Sequence, residues 1–195
     1  MSGAGEPVCA RCPRLLGASC CEVREGEALA TLTRADVERI AQHTGLSARR
    51  FVEEEGLSEE DAAAYERSRP LFRGYFRKAP VRLTLQQRAQ GGGGSACVFH
   101  RAGTGCALPS DVRPLACRLY PFERFMDGSW GVMPGRHGSL EAARAGGSAC
   151  LAVEEAPAEG EGAWEALLRA FGTCAEALEA LGAELARDAA AHGRG

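Results

Sequence analysis

Nine cysteines in a chain of 195 residues constrain this protein more than any other feature of its sequence. The N-terminus, MSGAGEPV, lacks a basic segment followed by an apolar one, so it shows no secretory signal and we predict a cytoplasmic protein. Reducing conditions in the cytosol disfavour structural disulfides, and clustered thiols there more often bind metals or serve redox chemistry. The sequence therefore predicts a metal-binding protein, and disulfides only if the chain is exported by an unrecognised route.

The cysteines are clustered along the chain rather than spread evenly. Four lie in the first 21 residues, three lie between positions 97 and 117, and two follow at positions 150 and 174. Eight of them are candidate metal ligands: Cys9, Cys12, Cys20, Cys21, Cys97, Cys106, Cys117 and Cys150. The wide spacing of the later cysteines indicates ligands that come together from separate loops. It leaves the number of centres and the grouping of ligands open.

The N-terminal cysteines have two different spacings. Cys9 and Cys12 form a CxxC pair, which one tight turn can aim at a single zinc ion or iron–sulfur cluster. Cys20 and Cys21 are adjacent, so their side chains point to opposite sides of an extended backbone. They therefore serve different centres, or only one of them is a ligand.

The stretch RPLACRLYPF surrounds Cys117 with residues that suit a metal ligand. Pro114 and Pro121 restrict the backbone on either side of the thiol. Arg113 and Arg118 can offset the negative charge of a site built from four thiolates. The alternative is that Cys117 is a buried core thiol and that the prolines only mark a turn.

Three stretches of the sequence resemble the YkgJ-type cysteine-cluster family, also called the CxxCxxCC or zinc- or iron-chelating domain family. They are CARC…CC near the N-terminus, LTRADVERIAQHTGL at 32–46 and CVFHRAGTGCALPSDVRPLACRLYPF at 97–122. The resemblance covers roughly residues 9–150, implies a metal bound by the eight cysteines, and places the family's RPxxCRxYPF motif on residues 113–122. Flagellin lysine N-methylases are similar in cysteine pattern, which implies a [4Fe–4S] cluster and methyl transfer to protein lysines.

The remaining pattern predicts a small irregular α+β domain, stabilised by metal, with helices and short strands. Thr33 and Asp36 are placed to cap a helix that ends near Gly45. The alternating sequence VRLTL at 81–85 predicts a strand, and the DG turn within 122–134 predicts a hairpin. We predict a metal-binding domain at 1–152, an acidic linker at 153–163 and a C-terminal amphipathic helix at 164–195 that packs on the domain.

Two residues near these patterns are expected to be structural. Cys174 lies on the apolar stripe of the C-terminal helix, so we expect a buried thiol outside the ligand set. His100 follows Cys97 by three residues, and we expect a histidine at the end of a strand rather than a ligand.

Several functions remain open at this point. The first is a protein with a [4Fe–4S] cluster, in methyl transfer to protein or in redox chemistry, and the second is a zinc-stabilised interaction module without catalysis. Metal storage or delivery is the third. S-adenosylmethionine would serve the first function, but the sequence has no motif for it, and whether the protein is an enzyme stays open.

Composition and charge bear on the partners. We expect a metal ion or cluster and leave room for a protein partner. The net charge of −3 gives nucleic acid no support, although residues 65–82 interleave arginines with aromatic residues. No apolar run approaches the roughly 20 residues that span a bilayer, so we expect no membrane partner.

Overall fold

The computed structural model describes residues 22–23, 29–89, 95–102, 104–132 and 162–194. Within these ranges the chain forms an α+β fold with five α-helices and four small antiparallel sheets. The predicted α+β class is thereby confirmed, and metal stabilisation stays a prediction. In the part of the chain described, none of the helices combines the length and the apolar character that crossing a bilayer requires.

The helices and strands are short and alternate along the chain. The helices are α1 (Arg34–Thr44), α2 (Glu59–Ser68), α3 (Leu115–Leu119), α4 (Ala163–Ala170) and α5 (Ala175–His192). Single 3₁₀ turns lie at Ala48–Arg50 and Pro70–Phe72. The strands are β1 (Glu22–Val23), β2 (Val52–Gly56), β3 (Val81–Leu85), β4 (Gln87–Ala89), β5 (Ser95–Cys97), β6 (His100–Arg101), β7 (Gly105–Cys106), β8 (Phe122–Arg124) and β9 (Trp130–Val132).

Helix α1 has the boundaries that its sequence predicts. The Thr33 hydroxyl accepts a hydrogen bond from the Asp36 backbone N–H at 3.1 Å, and the Asp36 carboxylate accepts one from the Thr33 N–H at 2.9 Å. This reciprocal pair is a capping box, which satisfies two N–H groups that the first helical turn leaves unpaired. At the other end Gly45 takes a left-handed φ of 70°, and its N–H donates to the Ala41 carbonyl.

The sheets pair strands that lie both near and far apart in sequence. Strand β3 is the predicted VRLTL strand, and it pairs along its whole length with β2, from Val52 opposite Leu85 to Gly56 opposite Val81. Strands β1, β5 and β4 form a three-stranded sheet in that order. The predicted hairpin is present as β8 and β9, with Phe122 opposite Val132; positions 133 and 134 lie outside the described residues.

Two hydrophobic clusters form the core. The first, core A, joins α3, α4 and α5 to the 3₁₀ turn at Pro70–Phe72; its buried residues are Phe72, Tyr75, Leu115, Leu119, Phe122, Leu167, Leu168, Leu178, Leu185 and Ala189. The second, core B, holds Leu32, Ile40, Phe51, Leu85, Cys97, Phe99, Leu108 and Val112.

Tyr75 joins the two clusters. Its ring lies in core A, and its hydroxyl donates to the Leu32 carbonyl at 2.7 Å and accepts from the Leu83 N–H at 3.1 Å. Burial raises the pKa of the Tyr75 phenol well above its usual range, so the hydroxyl keeps the proton that it donates. The two cores are therefore connected by hydrogen bonds of one neutral side chain.

The prediction of one continuous C-terminal helix is wrong. The helix ends at Ala170, and Gly172 takes a φ of 70°. The Thr173 N–H then bonds the Leu168 carbonyl at 3.0 Å and the Gly172 N–H bonds the Arg169 carbonyl at 2.9 Å, which is the Schellman pattern that ends a helix. Cys174 begins α5 as its N-cap and is exposed, so its predicted burial is also wrong. Apolar periodicity continues through the break, which is why the sequence pattern concealed it.

Candidate metal centre

The structure describes three of the eight predicted ligands, Cys97, Cys106 and Cys117. The other five lie outside the described residues: Cys9, Cys12, Cys20, Cys21 and Cys150. The predicted acidic linker at 153–163 also lies almost entirely outside them. The described part of the candidate centre consists of Cys97, Cys106 and Cys117.

Cys97 ends the short strand β5 and is buried in core B with 3% of its surface exposed. Its sulfur accepts a hydrogen bond from the Phe99 backbone N–H at 3.4 Å, across the turn formed by Val98 and Phe99. An N–H donor directed at sulfur stabilises the negatively charged thiolate, and such bonds tune iron–sulfur centres. Strand β5 ends at Cys97, and the next strand begins at His100.

Cys106 lies on the hairpin formed by β6 and β7, which comes after Cys97 in the sequence. Strand β7 pairs Cys106 with His100 on β6, and the Ala107 N–H bonds the Phe99 carbonyl at 2.8 Å. Gly105 before it takes a φ of 82°, a conformation that favours glycine and allows the narrow turn. Cys106 is half-buried and packs against core B, so both cysteines contact the same apolar cluster.

His100 lies at the start of β6, whereas the sequence predicted the end of a strand, and only 1% of its surface is exposed. Its carbonyl accepts a hydrogen bond from the Arg88 guanidinium on β4. His43 is exposed in the last turn of α1.

Cys117 lies in α3, the five-residue helix that begins after Pro114. The thiol is half-buried and packs against core B, whereas Leu115 and Leu119 on the same helix enter core A. Helix α3 therefore lies between the two clusters. The structure places the three described members of the predicted ligand set against core B.

Sulfur atoms in one cluster do not by themselves form a metal site. Among the described residues, no group of three or more His, Cys, Asp or Glu side chains is arranged so that it could hold a metal ion. Five of the eight predicted ligands are outside that set. Cys97, Cys106 and Cys117 all lie in or against core B, and the ligand assignment stays a prediction.

Arg113, which the sequence predicts to offset negative charge near Cys117, makes two hydrogen bonds within the fold. Its Nε donates to the Leu108 carbonyl at 3.1 Å, and its own carbonyl accepts from the Arg39 guanidinium at 3.2 Å. Arg113 thus ties the segment before α3 to core B and to α1. Arg118 is half-buried in the last turn of α3, where a cation suits the partial negative charge of the helix C-terminus.

The sequence did not reveal one residue that contacts α3, the helix that bears Cys117. The Asp36 carboxylate, fully buried at the start of α1, accepts a hydrogen bond at 3.0 Å from the Leu115 N–H at the start of α3. The capping pattern reveals the local bonds of Asp36 but contains no signal for a partner 79 positions away in the chain. This contact is the link between the first helix and the cysteine-bearing one.

Searches against family models, curated proteins and solved structures found no match to this chain. The resemblance to the YkgJ-type family therefore stays a prediction that rests on the residues quoted for it.

Proposed function

We propose that this chain is a cysteine-ligated metal-binding protein and that its metal is a [4Fe–4S] cluster. The proposed ligands are drawn from Cys9, Cys12, Cys20, Cys21, Cys97, Cys106, Cys117 and Cys150. Thiolates are soft donors that suit iron–sulfur clusters and zinc. Ligands contributed by separate loops favour the cluster over a compact zinc knuckle.

The pairing of β1 with β5 carries the proposal. Glu22, which follows Cys21 in the sequence, lies opposite Ala96, which precedes Cys97. Two strands more than seventy residues apart in the sequence are thus paired; one follows Cys21 in the sequence and the other ends at Cys97.

The surroundings of the described cysteines give further support. The Phe99 N–H is directed at the sulfur of Cys97, and the apolar residues of core B shield this sulfur from water. Low exposure and N–H donors both influence the potential of a bound cluster. When bound, a [4Fe–4S] cluster supplies electron-transfer chemistry. Methyl transfer to protein lysines would also require S-adenosylmethionine as the methyl donor, and it rests on the resemblance alone.

Anaerobic purification from cells tests the proposal directly. We expect a brown protein whose visible spectrum shows a broad cluster absorption and whose iron and acid-labile sulfide contents match. Cys117→Ser should lose most of this iron because the variant removes a proposed ligand. Cys174→Ser is the matched control, since Cys174 is the exposed N-cap residue of α5 and lies outside the proposed set.

The metal found in the protein and the iron content of the variants decide the proposal. A colourless protein with stoichiometric zinc would exclude the cluster and support a zinc-stabilised interaction module. Full iron content and normal solubility in both Cys117→Ser and Cys12→Ser would overturn the ligand assignment. Equal iron loss in Cys174→Ser and Cys117→Ser would show that the loss is not specific to the proposed ligands.

A further inference from the structure

Asp36 is a buried carboxylate with hydrogen-bond donors on both of its oxygens. None of its surface is exposed, although a charged side chain is rarely buried without partners. One oxygen, Oδ2, accepts from the backbone N–H of Thr33 at 2.9 Å and from the Thr33 hydroxyl at 3.0 Å. The first of these bonds belongs to the capping box of α1, and the second joins the two side chains of the box.

The second oxygen of Asp36 faces away from its own helix cap. Oδ1 accepts from the Leu115 N–H at 3.0 Å and from the Arg39 guanidinium. Leu115 is the first residue of α3, so its N–H is one of those that a helix leaves without an internal partner. Asp36 therefore caps α3 from a different helix.

Arg39 extends this contact to the other side of Pro114. The same Nη2 group that bonds Asp36 also donates to the Arg113 carbonyl at 3.2 Å. Residues 113 and 115 are thus both held by α1, on either side of a proline whose ring fixes its own φ. Cys117 lies two residues further on, in the first turn of α3.

We propose that Asp36, assisted by Arg39, is a positioning residue that holds Cys117 in place for metal binding. The inference rests on the proposed function in that Cys117 is taken as a ligand. The carboxylate fixes where α3 begins and hence where the Cys117 sulfur lies relative to core B. Groups that orient a ligand typically change metal affinity by about 10- to 100-fold when they are removed.

The chain offers a matched control on the next helix. Asp61 occupies the same N3 position of α2, where it accepts a bond from the Ser58 hydroxyl at 2.7 Å and its N–H bonds the Ser58 oxygen at 3.0 Å. Asp61 is exposed. Like Asp36, it accepts a hydrogen bond from the hydroxyl of the N-cap residue of its own helix. Asp36→Ala and Asp61→Ala therefore remove the same type of capping carboxylate, but only the first removes a bond to Leu115.

The experiment measures metal loss and thiol reactivity in the full chain. Metal transfer to an iron or zinc chelator is followed at a temperature where circular dichroism shows each variant folded. We expect Asp36→Ala to lose metal about tenfold faster than the wild type and Asp61→Ala to match the wild type. In metal-free protein, site-resolved mass spectrometry should show faster alkylation of Cys117 in Asp36→Ala only.

The two readouts separate this inference from the proposed function. Unchanged metal loss and unchanged Cys117 alkylation in Asp36→Ala overturn the positioning role, while the metal centre stands. A wild type without metal overturns the proposed function, and the alkylation rate of Cys117 then decides the positioning role by itself. If Asp36→Ala does not fold, Arg39→Gln, which removes the bond to the Arg113 carbonyl, is measured and read in the same way.

Discussion

The imidazole of His192 stacks on the phenol ring of Tyr75, with the ring centroids 4.0 Å apart and the planes within 5° of parallel. His192 is the last residue of α5, and Tyr75 joins the two hydrophobic clusters. Burial, reinforced by the charge of Arg34, lowers the pKa of His192 to about 4. The end of the last helix is therefore packed through a neutral histidine.

This pair predicts a pH dependence of stability. The unfolded chain protonates His192 near pH 6.5, and the folded chain does so only near pH 4. The contribution of the neutral imidazole is thus fully present above about pH 6.5 and is lost as the pH falls towards 4. His192→Phe keeps an aromatic ring on Tyr75 and should remove this loss. Urea unfolding at pH 7.5, 5.5 and 4.5 should show the free energy of unfolding of the wild type falling relative to that of the variant.

The control for the pH experiment is His43→Gln, which replaces an exposed histidine at the end of α1. Its pH profile should follow that of the wild type. Parallel profiles for the wild type and His192→Phe would show that the stacked imidazole contributes nothing to acid sensitivity.

Gly193, which follows His192, has no room for a side chain. A Cβ on this residue would lie 1.9 Å from the carbonyl oxygen of Gly74 and 3.0 Å from that of Tyr75. These are backbone atoms that cannot rotate away, so Gly193→Ala should destabilise the protein by about 1–3 kcal/mol. Gly56→Ala is the control, since a Cβ there meets nothing within 4 Å. Denaturant titration of both variants checks the difference, and equal stabilities would contradict the close packing of Gly193.

At Gly182 in α5, helix propensity favours alanine, whereas packing against Trp130 favours glycine. Alanine in a helix interior normally stabilises by about 1 kcal/mol over glycine. Here a Cβ would lie 2.7 Å from the Trp130 ring, which is held by a 2.8 Å hydrogen bond from its Nε1 to Glu179. We expect Gly182→Ala to destabilise the wild type by about 1 kcal/mol because it displaces that ring.

A double-mutant cycle tests the cause of the Gly182 effect. In a Trp130→Ala background the obstruction is absent, so Gly182→Ala should become stabilising through helix propensity alone. Thermal unfolding of the four proteins gives the coupling, and the same sign of effect in both backgrounds would rule out Trp130 as the cause.

Asp188 on α5 predicts a stabilising substitution. Burial, together with the negative charges of Asp36 and Glu184, raises the pKa of its carboxyl. A raised pKa means that the ionised carboxylate is disfavoured in the folded state, so it lowers stability once the pH exceeds that pKa. Asp188→Asn should therefore raise the melting temperature at pH 7, and the gain should shrink towards pH 3. A gain of equal size at both pH values would refute the electrostatic explanation.

The local elements could be predicted from the sequence because their signals are local. Thr33, Asp36 and Gly45 set the ends of α1, and the alternation of 81–85 gives β3. The segment VEEEG at 52–56 lacks this alternation of apolar and polar residues, so the sequence does not predict its strand. It forms β2, where Glu53 and Glu54 are exposed and Glu55 accepts a hydrogen bond from Arg82 across the sheet at 3.0 Å.

The remaining features depend on contacts between distant parts of the chain. The break between α4 and α5 follows from a glycine with positive φ inside a continuous apolar pattern, and it turns Cys174 outwards to an exposed N-cap. The burial of Asp36 depends on Leu115, and no periodicity connects those two positions. For the candidate centre, the sequence identified three cysteines that the structure places in or against core B, but spacing alone could not reveal the bond between Asp36 and the start of α3.

Synthesis from the N-terminus gives the packing of α5 a consequence in time. Leu115 and Leu119 of α3 share core A with Leu178 and Leu185 of α5, which the ribosome adds long after Cys117 has been translated. A nascent chain therefore carries the Cys117 helix without its apolar cover, while α1 and Asp36 are already present. For the metal centre that we propose, we expect stable insertion to wait until α5 has left the exit tunnel, so ribosome-bound chains arrested before α5 should retain far less metal than released protein.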